Sequence, residues 1–214
     1  MTQPPDSLPM AQPLPVQGQE EQQALRKRPR PGERRIQILQ ALAAMLEQPG
    51  ADRITTAALA ARLEVSEAAL YRHFASKAQM FEGLIDFIEQ SVFTLINQIV
   101  TREMPDAENG AGTVTAGHIV VMLMQFAQKN PGMVRVMTGD ALLLENERLQ
   151  LRMNQFFDKV EAALRQCLRG QPESALRAAV LVAFSAGRLQ RFVRSGFSRL
   201  PTDQLDASLA LILH

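Results

Sequence analysis

Residues 53–81 read RITTAALAARLEVSEAALYRHFASKAQMF. The stretch predicts two short helices joined by a turn of about three residues. Thr55 or Thr56 can begin the first helix, because a threonine hydroxyl accepts a hydrogen bond from an unpaired backbone N–H. Ser66 can begin the second helix in the same way, and we expect that helix to end near His73. Two short helices with so short a turn are typical of the helix-turn-helix, whose second helix enters the major groove of DNA.

The predicted recognition helix begins with small side chains and ends with hydrogen-bond donors. Its first residues would let the backbone approach base edges closely, and they are Ser66, Glu67, Ala68 and Ala69. The donors at its end and just beyond it, suited to phosphate oxygens or bases, are Tyr71, Arg72, His73 and Lys77. In the alternative interpretation the charged side chains only form a solvated face. We favour DNA contacts because the donors, the turn spacing and a local basic block occur together.

The net charge of +1 hides an asymmetry along the chain. Residues 24–80 hold ten Lys or Arg against five Asp or Glu, whereas residues 81–170 hold eight against eleven. The positive field is therefore concentrated around the predicted helix-turn-helix, where it would attract phosphate. Arg28 and Arg30 belong to a basic run that resumes at residues 34–35 and meets the first helix. We interpret this run as an arm that follows phosphates or enters the minor groove, the alternative being a solvated tail.

Beyond residue 33, apolar residues recur at helical spacing, and no segment alternates as a strand does. The sequence therefore predicts an all-α protein, in which an N-terminal three-helix helix-turn-helix DNA-binding domain is followed by a helical C-terminal dimerisation domain. The expected helices span residues 33–48, 55–63, 66–73, 76–100, 113–129, 133–138, 140–169, 172–196 and 201–214. In the first of them the side chains expected to face the core are Ile36, Leu39, Ala43 and Leu46.

The domain boundaries follow from composition. Five prolines fall within the first fifteen residues, so we expect residues 1–25 to be a Pro/Gln-rich leader that buries too little apolar surface to become ordered. The DNA-binding domain is expected at residues 26–78. The helical dimerisation and partner-binding domain is expected at residues 79–214.

Composition also argues against several classes of protein. Cys167 is the single cysteine, so no intramolecular disulfide can form, which fits a reducing cytoplasm. No stretch approaches the twenty or so apolar residues that a membrane-spanning helix needs, and the N-terminus lacks the pattern of a signal peptide. His118 stands alone in the sequence, and we find no glycine-rich phosphate loop and no histidine pair at metal-ligand spacing. We therefore expect no membrane segment, no catalytic activity, no cofactor and no metal.

The run Tyr71-Arg72-His73-Phe74, followed by Lys77, resembles the end of the recognition helix in the TetR family of regulators. The resemblance implies a TetR-like all-α homodimer of about nine helices, of which the first three form the DNA-binding unit. It further implies that the residues contacting the DNA backbone are Thr55, Thr56, Tyr71, His73 and Lys77. The residues that it places in the groove are Ser66, Glu67, Ala68, Ala69 and Arg72.

Two further blocks extend the resemblance beyond the predicted helix-turn-helix. They are NPGMVRVMTGDALLLENERLQLRMNQFFDKVEAALRQ at residues 130–166 and FVRSGFSRLPTD at residues 192–203. Together with residues 54–90, these blocks resemble the nucleoid occlusion factors within the TetR family. That resemblance implies a homodimer that binds palindromic sites in double-stranded chromosomal DNA, with more than one dimer on a site. It also implies that the DNA-bound protein antagonises polymerisation of the division protein FtsZ over the nucleoid.

The same resemblance implies a site for the C-terminal tail of FtsZ between the fourth helix and the corner of the fifth and sixth helices. A short amphipathic peptide needs an apolar groove with a cationic rim. Here Phe87 would supply the groove, and Lys129 and Asn130 would supply the rim. Alternatively, Phe87 is a core residue and Lys129 merely complements the C-terminus of a helix. The residues alone leave both interpretations open.

Small residues recur at every fourth position of the expected eighth helix. They are Ala175, Ala179, Ala183 and Gly187. Such a ridge lets another helix pack closely, either from the same chain or from a second copy. The TetR resemblance implies that the last two helices form the dimer interface, so we favour the second copy.

The same DNA-binding domain is also compatible with a second function, that of a TetR-type ligand-responsive transcriptional repressor. A repressor of this type needs an enclosed effector pocket in its body. The methionines near the expected corner of the fifth and sixth helices, which could adapt to such a ligand, are Met122, Met124, Met133 and Met137. We favour ordinary core packing for them because no polar groups converge with them in the sequence.

Overall fold

A computed structural model describes residues 32–48, 54–104 and 111–213, and most of these residues are helical. The helices are α1 (Glu33–Leu46), α2 (Thr56–Arg62), α3 (Glu67–Tyr71), α4 (Lys77–Glu103), α5 (Ala111–Lys129), α6 (Pro131–Met137), α7 (Glu147–Cys167), α8 (Ser174–Arg194) and α9 (Leu205–Leu213). A short 3-10 turn, Asp140–Leu142, lies between α6 and α7. These nine α-helices, with no strand in the described ranges, confirm the prediction of an all-α protein.

The reader, which we define as α1, α2 and α3, depends on α1 for its packing. The residues that α1 buries are Ile38, Leu39, Leu42, Ala43 and Leu46. They belong to the same apolar core as Leu59 of α2 and Leu70 of α3. The prediction for Ile36 was wrong, since its side chain is 46% exposed. The buried stripe of α1 is centred on residues 38–42, which leaves Ile36 at its edge.

Helix α4 begins directly after the reader and continues through the body, which we define as α4 to α9. Its 27 residues make it about 40 Å long. Ser76 begins it as predicted, because the Ser76 hydroxyl accepts a hydrogen bond from the Gln79 N–H at 3.1 Å. The Gln79 side chain in turn accepts a hydrogen bond from the N–H of Ala75 at 2.9 Å, so the two side chains cap the helix together. The helix also extends to Glu103, three residues beyond the predicted end.

The predicted break at residues 130–132 is shorter in the structure. Pro131 is the first residue of α6, a position at which its missing N–H costs nothing. Gly132 is buried in the same helix, where a Cβ atom would lie 1.9 Å from the backbone oxygen of Ala43. Backbone of the reader and backbone of the body therefore meet at this point with no side chain between them. We call this contact the Gly132–Ala43 joint.

The prediction that one helix runs from residue 140 to residue 169 was wrong at its beginning. Gly139 has a positive φ of 82° and turns the chain before the 3-10 turn. Helix α7 begins only at Glu147, where the Asn146 side chain accepts a hydrogen bond from the Arg148 N–H at 3.0 Å. Leu143 and Leu144 lie in the connection and are 70% and 72% exposed, so their apolar run gave a false helical signal.

Ion pairs join α4 to α7 in register along both helices. Arg148 pairs with Glu82 at 2.7 Å, and Arg152 pairs with Asp86 at 2.7 Å. Further along, one turn on α4 and two turns on α7, Lys159 pairs with Glu89. Residue numbers rise together on the two helices, so α4 and α7 run parallel at this face. Their N-termini consequently lie at the same end of the body, next to the reader.

No helix in the described part of the chain is long and apolar enough to cross a membrane.

We predict that Gly132→Ala destabilises the protein by about 1–3 kcal/mol or more, because the added methyl group meets backbone that cannot rotate away. Gly117→Ala is the matched control. Gly117 is also a buried helical glycine, but its Cβ would meet only a methyl group of Leu213 at 3.4 Å. Chemical denaturation of both variants measures the difference. Equal stability of the two variants would show that the joint tolerates a side chain.

Candidate nucleic-acid interface

The turn between α2 and α3 is closed by backbone hydrogen bonds. The N–H of Glu64 donates to the Ala61 carbonyl at 3.1 Å, and the N–H of Val65 donates to the Ala60 carbonyl at 3.0 Å. Glu64 has a positive φ of 53°, a conformation that glycine adopts with less strain. Ser66 then begins α3, and its hydroxyl accepts from the Ala69 N–H at 3.3 Å. The predicted helix-turn-helix is therefore present, although α3 ends at Tyr71 rather than near His73.

Side chains clamp α2 to α3 across this turn. The Thr56 hydroxyl donates to a carboxylate oxygen of Glu67 at 2.6 Å, and the Tyr71 hydroxyl lies 3.5 Å from the same threonine oxygen. Thr55 accepts from the N–H of Ala58 at 3.2 Å and so caps α2. Three of the predicted DNA-contacting residues thus also fix the angle between the two helices.

Arg35 of α1 supports the end of the recognition helix. Its guanidinium donates to the backbone oxygen of His73 at 2.9 Å and lies 4.0 Å from the ring centroid of Phe74. From the sequence we expected Arg35 to belong to the basic arm, but in the structure it packs against the end of the recognition helix. Arg28 and Arg30, the other residues predicted for the arm, lie outside the described residues.

Most of the residues predicted to contact DNA are exposed to solvent. The exposed ones are Thr55, Ser66, Glu67, Ala68, Tyr71, Arg72 and His73, while Thr56 and Ala69 are half-buried. Leu70 and Phe74 are each only 1% exposed, so both belong to the core. The recognition helix therefore presents polar and small side chains outward from an apolar base.

Lys77 is half-buried and has a partner that the sequence did not reveal. Its ammonium group forms an ion pair with Glu145, in the connection before α7. It also lies 5.8 Å from the ring centroid of Phe81. The Lys77 and Glu145 side chains are 31% and 12% exposed, so the pair is only partly screened by water. No local pattern could have paired residues 68 positions apart.

The ridge on α8 is not covered by the described part of the chain. Ala175, Ala183 and Gly187 are exposed and Ala179 is half-buried. A Cβ atom at Gly187 would have no neighbour within 4 Å. The large apolar side chains exposed on α8 and the adjacent α9 are Leu176 (59%), Val180 (42%) and Leu211 (87%). An intrachain partner for the ridge is therefore not found, and an apolar face remains open.

The residues predicted to bind a partner lie at the fourth helix and the α5–α6 corner. Phe87 is half-buried and packs against the core, whereas Lys129 is exposed in the last turn of α5. Asn130 stands at the N-cap of α6, and its side-chain amide donates to the Phe126 carbonyl at 2.7 Å. Two clefts of about 820 and 570 Å³ lie elsewhere, along α8, and both are open to solvent. Of the methionine cluster, Met124, Met133 and Met137 are buried in the core.

The contacts of His118 and Cys167, which stand alone in the sequence, indicate structural roles. His118 Nδ1 lies 2.8 Å from a carboxylate oxygen of Glu103, which also accepts from Arg102. Burial by itself would raise the pKa of Glu103, but these two hydrogen bonds outweigh it and hold that pKa below its ordinary value. Burial, aided by the charge of Glu103, raises the pKa of the Cys167 thiol. Raising its pKa favours the protonated thiol, the opposite of what a nucleophilic cysteine requires.

Two family matches cover both parts of the chain. Residues 38–84 match the family described as bacterial regulatory proteins, tetR family. Residues 112–214 match the SlmA-like family described as tetracyclin repressor-like, C-terminal domain. Among solved structures, the fatty acid degradation regulator FadR from Bacillus halodurans has a TM-score of 0.66 at 15% identity, over 87% of this chain and 97% of that one. The fold and the reader thus define a helix-turn-helix regulator of the TetR type.

Curated relatives narrow the assignment. The nucleoid occlusion factor SlmA of Idiomarina loihiensis is 47% identical over 184 residues, which are 81% of this chain and 90% of the relative. SlmA of Colwellia psychrerythraea is 49% identical over 179 residues, or 79% and 87% of the two chains. SlmA of Escherichia fergusonii is 49% identical over 189 residues, or 84% and 92%. The chain belongs to the SlmA family of nucleoid occlusion factors.

Proposed function

We propose that this protein acts in nucleoid occlusion. As a homodimer it binds palindromic chromosomal sites and, while bound, antagonises FtsZ polymerisation over the nucleoid, which places it in the cytoplasm at the chromosome. The observation that carries the proposal is identity of 45–49% to SlmA proteins across reader and body together. A likeness confined to the reader would support DNA binding alone, because function depends on particular sites rather than on the fold.

The reader supports the DNA-binding step. Tyr71 at the end of α3 and Arg72 and His73 just beyond it are exposed, and the first turn of the helix is slim enough to approach base edges. A dimer with two such readers would bind a pseudo-palindrome whose half-sites lie about one helical turn apart. Lys77 would exchange Glu145 for a DNA phosphate, since both are anions and the phosphates of a bound duplex would lie beside the recognition helix.

We predict that Lys77→Ala weakens binding to every duplex, because a phosphate contact does not read sequence. The salt dependence should flatten by about one unit for each lost contact, measured by fluorescence anisotropy across a salt series. Glu145→Gln is the matched variant, since it breaks the same ion pair but keeps the lysine. We expect Glu145→Gln to bind DNA as tightly as the wild type or more tightly. Equal weakening by both changes would mean that Lys77 serves only to hold Glu145.

The open face of α8 and α9 supports dimerisation. Leu176, Val180 and Leu211 expose apolar surface of a kind that isolated domains usually cover. The small residues Ala183 and Gly187 lie beside them and would allow a second helix to approach closely. A second copy of the same face would bury both sets in a symmetric interface.

We predict that Ala183→Glu gives monomers in analytical ultracentrifugation, because an unpaired charge inside a helix–helix interface costs several kcal/mol. Ala162→Glu is the control, since Ala162 is also an exposed helical alanine but lies on α7. That variant should stay dimeric. A folded, fully dimeric Ala183→Glu protein would exclude this face as the interface.

The α5–α6 corner supports the partner step. Lys129 is exposed and Asn130 is half-buried beside it, and the apolar ring of Phe87 on α4 is incompletely covered. We propose that the C-terminal tail of FtsZ lies against these three residues. Two or more dimers on one DNA site would raise the local concentration of such sites and so strengthen a weak peptide contact.

We predict that Lys129→Glu weakens binding of an FtsZ tail peptide at least tenfold, by reversing a rim charge without touching the core, while DNA binding stays intact. Arg165→Glu is the control, because Arg165 is an exposed cation in the last turn of α7. Isothermal titration calorimetry of both variants decides between the sites. Unchanged affinity of Lys129→Glu for the tail would refute this placement of the groove.

A further inference from the structure

The C-terminal end of α8 lies at the reader end of the body. Helix α4 follows the recognition helix, and its first residue, Lys77, pairs with Glu145 just before α7. The cleft of about 570 Å³ is lined by Gln150 and Met153 from the first turns of α7 and by Leu189 and Arg194 from the last turns of α8. The two helices therefore run antiparallel, and α8 ends on the same side as the reader.

This end of α8 and the connection to α9 are rich in arginine. Four arginines and one aspartate fall within residues 187–203. Arg188 has an internal role, because its guanidinium donates to the carbonyls of Pro201 and Asp203 at 3.0 and 2.6 Å and so fixes the connection. Its charge is thus used in holding α9 against α8.

The other three arginines, Arg191, Arg194 and Arg199, are exposed and have no ion pair within the described ranges. Two carboxylates lie nearby without pairing with them. Asp203 shares a cleft with Arg191 and Arg199, and Asp140, which accepts from Thr138 at 3.0 Å, shares the other cleft with Arg194. We name the exposed arginines the α8-end patch. On the α4–α7 face, by contrast, Arg148, Arg152 and Lys159 each have an acidic partner.

Two simpler explanations account for only some of the arginines in the α8-end patch. Cations near the C-terminus of a helix complement its dipole, and this applies to Arg191 and Arg194. It does not apply to Arg199, which lies five residues beyond the end of α8. Solvation alone would not collect three unpaired cations at the one end of the body that faces the reader.

We propose that the α8-end patch binds DNA backbone phosphates, as a second contact made by the body beside that of the reader. The proposal rests on the proposed DNA binding. We favour DNA over an acidic protein segment because the patch lies at the same end of the molecule as the recognition helix. Arg194 and Arg199 are the residues that make the contact; Arg191 lies closer to the ridge on α8. Such contacts add affinity and salt dependence without sequence preference.

The test compares Arg194→Gln/Arg199→Gln with Arg165→Gln/Arg169→Gln in the full-length protein. Both variants remove two exposed arginines and so change the net charge equally. Arg165 and Arg169 lie at the far end of α7, about 27 Å or more from its N-terminus by helix length, whereas the Debye length is about 8 Å at physiological salt. The control therefore separates position from net charge.

Anisotropy is measured across a salt series on a duplex selected by the protein from genomic fragments and on a scrambled duplex of equal length. We expect the Arg194/Arg199 variant to bind both duplexes at least about tenfold more weakly at low salt and its salt slope to flatten by about four units per dimer, one unit for each arginine removed. Arg194→Lys/Arg199→Lys, which keeps the charge, should restore most of the slope. Circular dichroism and sedimentation establish that each variant is folded and dimeric.

The proposal is overturned if the Arg194/Arg199 variant has the same salt slope as the control. It is equally overturned if DNA binding is unchanged while binding of an FtsZ tail peptide falls, since the patch would then serve a protein. Failure of the proposed function has a different signature. In that case the wild type would bind the selected and the scrambled duplex equally, whatever the effect of the two arginines.

Discussion

A recognition helix of five residues is far below the length at which an isolated helix is stable in water, so α3 depends on its neighbours for its shape. The apolar base of the reader supplies one set of contacts through Leu70 and Phe74. Polar contacts supply the other set, with Thr56 bonded to Glu67 on one side and Arg35 bonded to the end of the helix on the other. The orientation of the exposed side chains of α3 is therefore set largely by contacts with residues outside the helix.

The reader in turn depends on the body. The Gly132–Ala43 joint brings two backbones together without an intervening side chain, and the pair Lys77–Glu145 holds the beginning of α4 against the connection before α7. Burial makes the joint insensitive to salt, whereas the ion pair is partly exposed and can be exchanged. The α5–α6 corner, with Lys129 and Asn130, lies within three residues of Gly132 along the chain. The proposed partner site is thus adjacent to a rigid contact with the DNA-binding unit.

Local patterns in the sequence predicted a large part of this arrangement. The all-α class and the N-caps at Thr55 and Ser66 follow from helical spacing and from side chains that accept backbone N–H groups. Helix ends were less well predicted. The leucines before α7 were read as the start of that helix, but they lie in the 3-10 turn and the connection that precede Glu147. Pro131 began a helix where a break was expected.

Contacts between residues distant in the sequence could not be predicted. Arg35 looked like one more residue of a basic run, because nothing local indicates that it reaches the carbonyl of His73. Glu145 has no feature that pairs it with Lys77. The α8-end patch was likewise invisible, because only packing of α7 against α8 reveals that those arginines lie at the reader end. Single residues did not identify the family of the body. Similarity over most of the chain assigns it to the SlmA family.

We propose that this protein antagonises FtsZ polymerisation when it is bound to its own DNA site. Sedimentation of FtsZ polymers with GTP tests this claim most directly, with the protein alone, with a duplex that it selects from genomic fragments, and with a scrambled duplex of equal length. We expect the amount of pelleted FtsZ to fall substantially only when the protein and the selected duplex are present together. Undiminished FtsZ polymer with the selected duplex, at protein concentrations that saturate it, would contradict the claim.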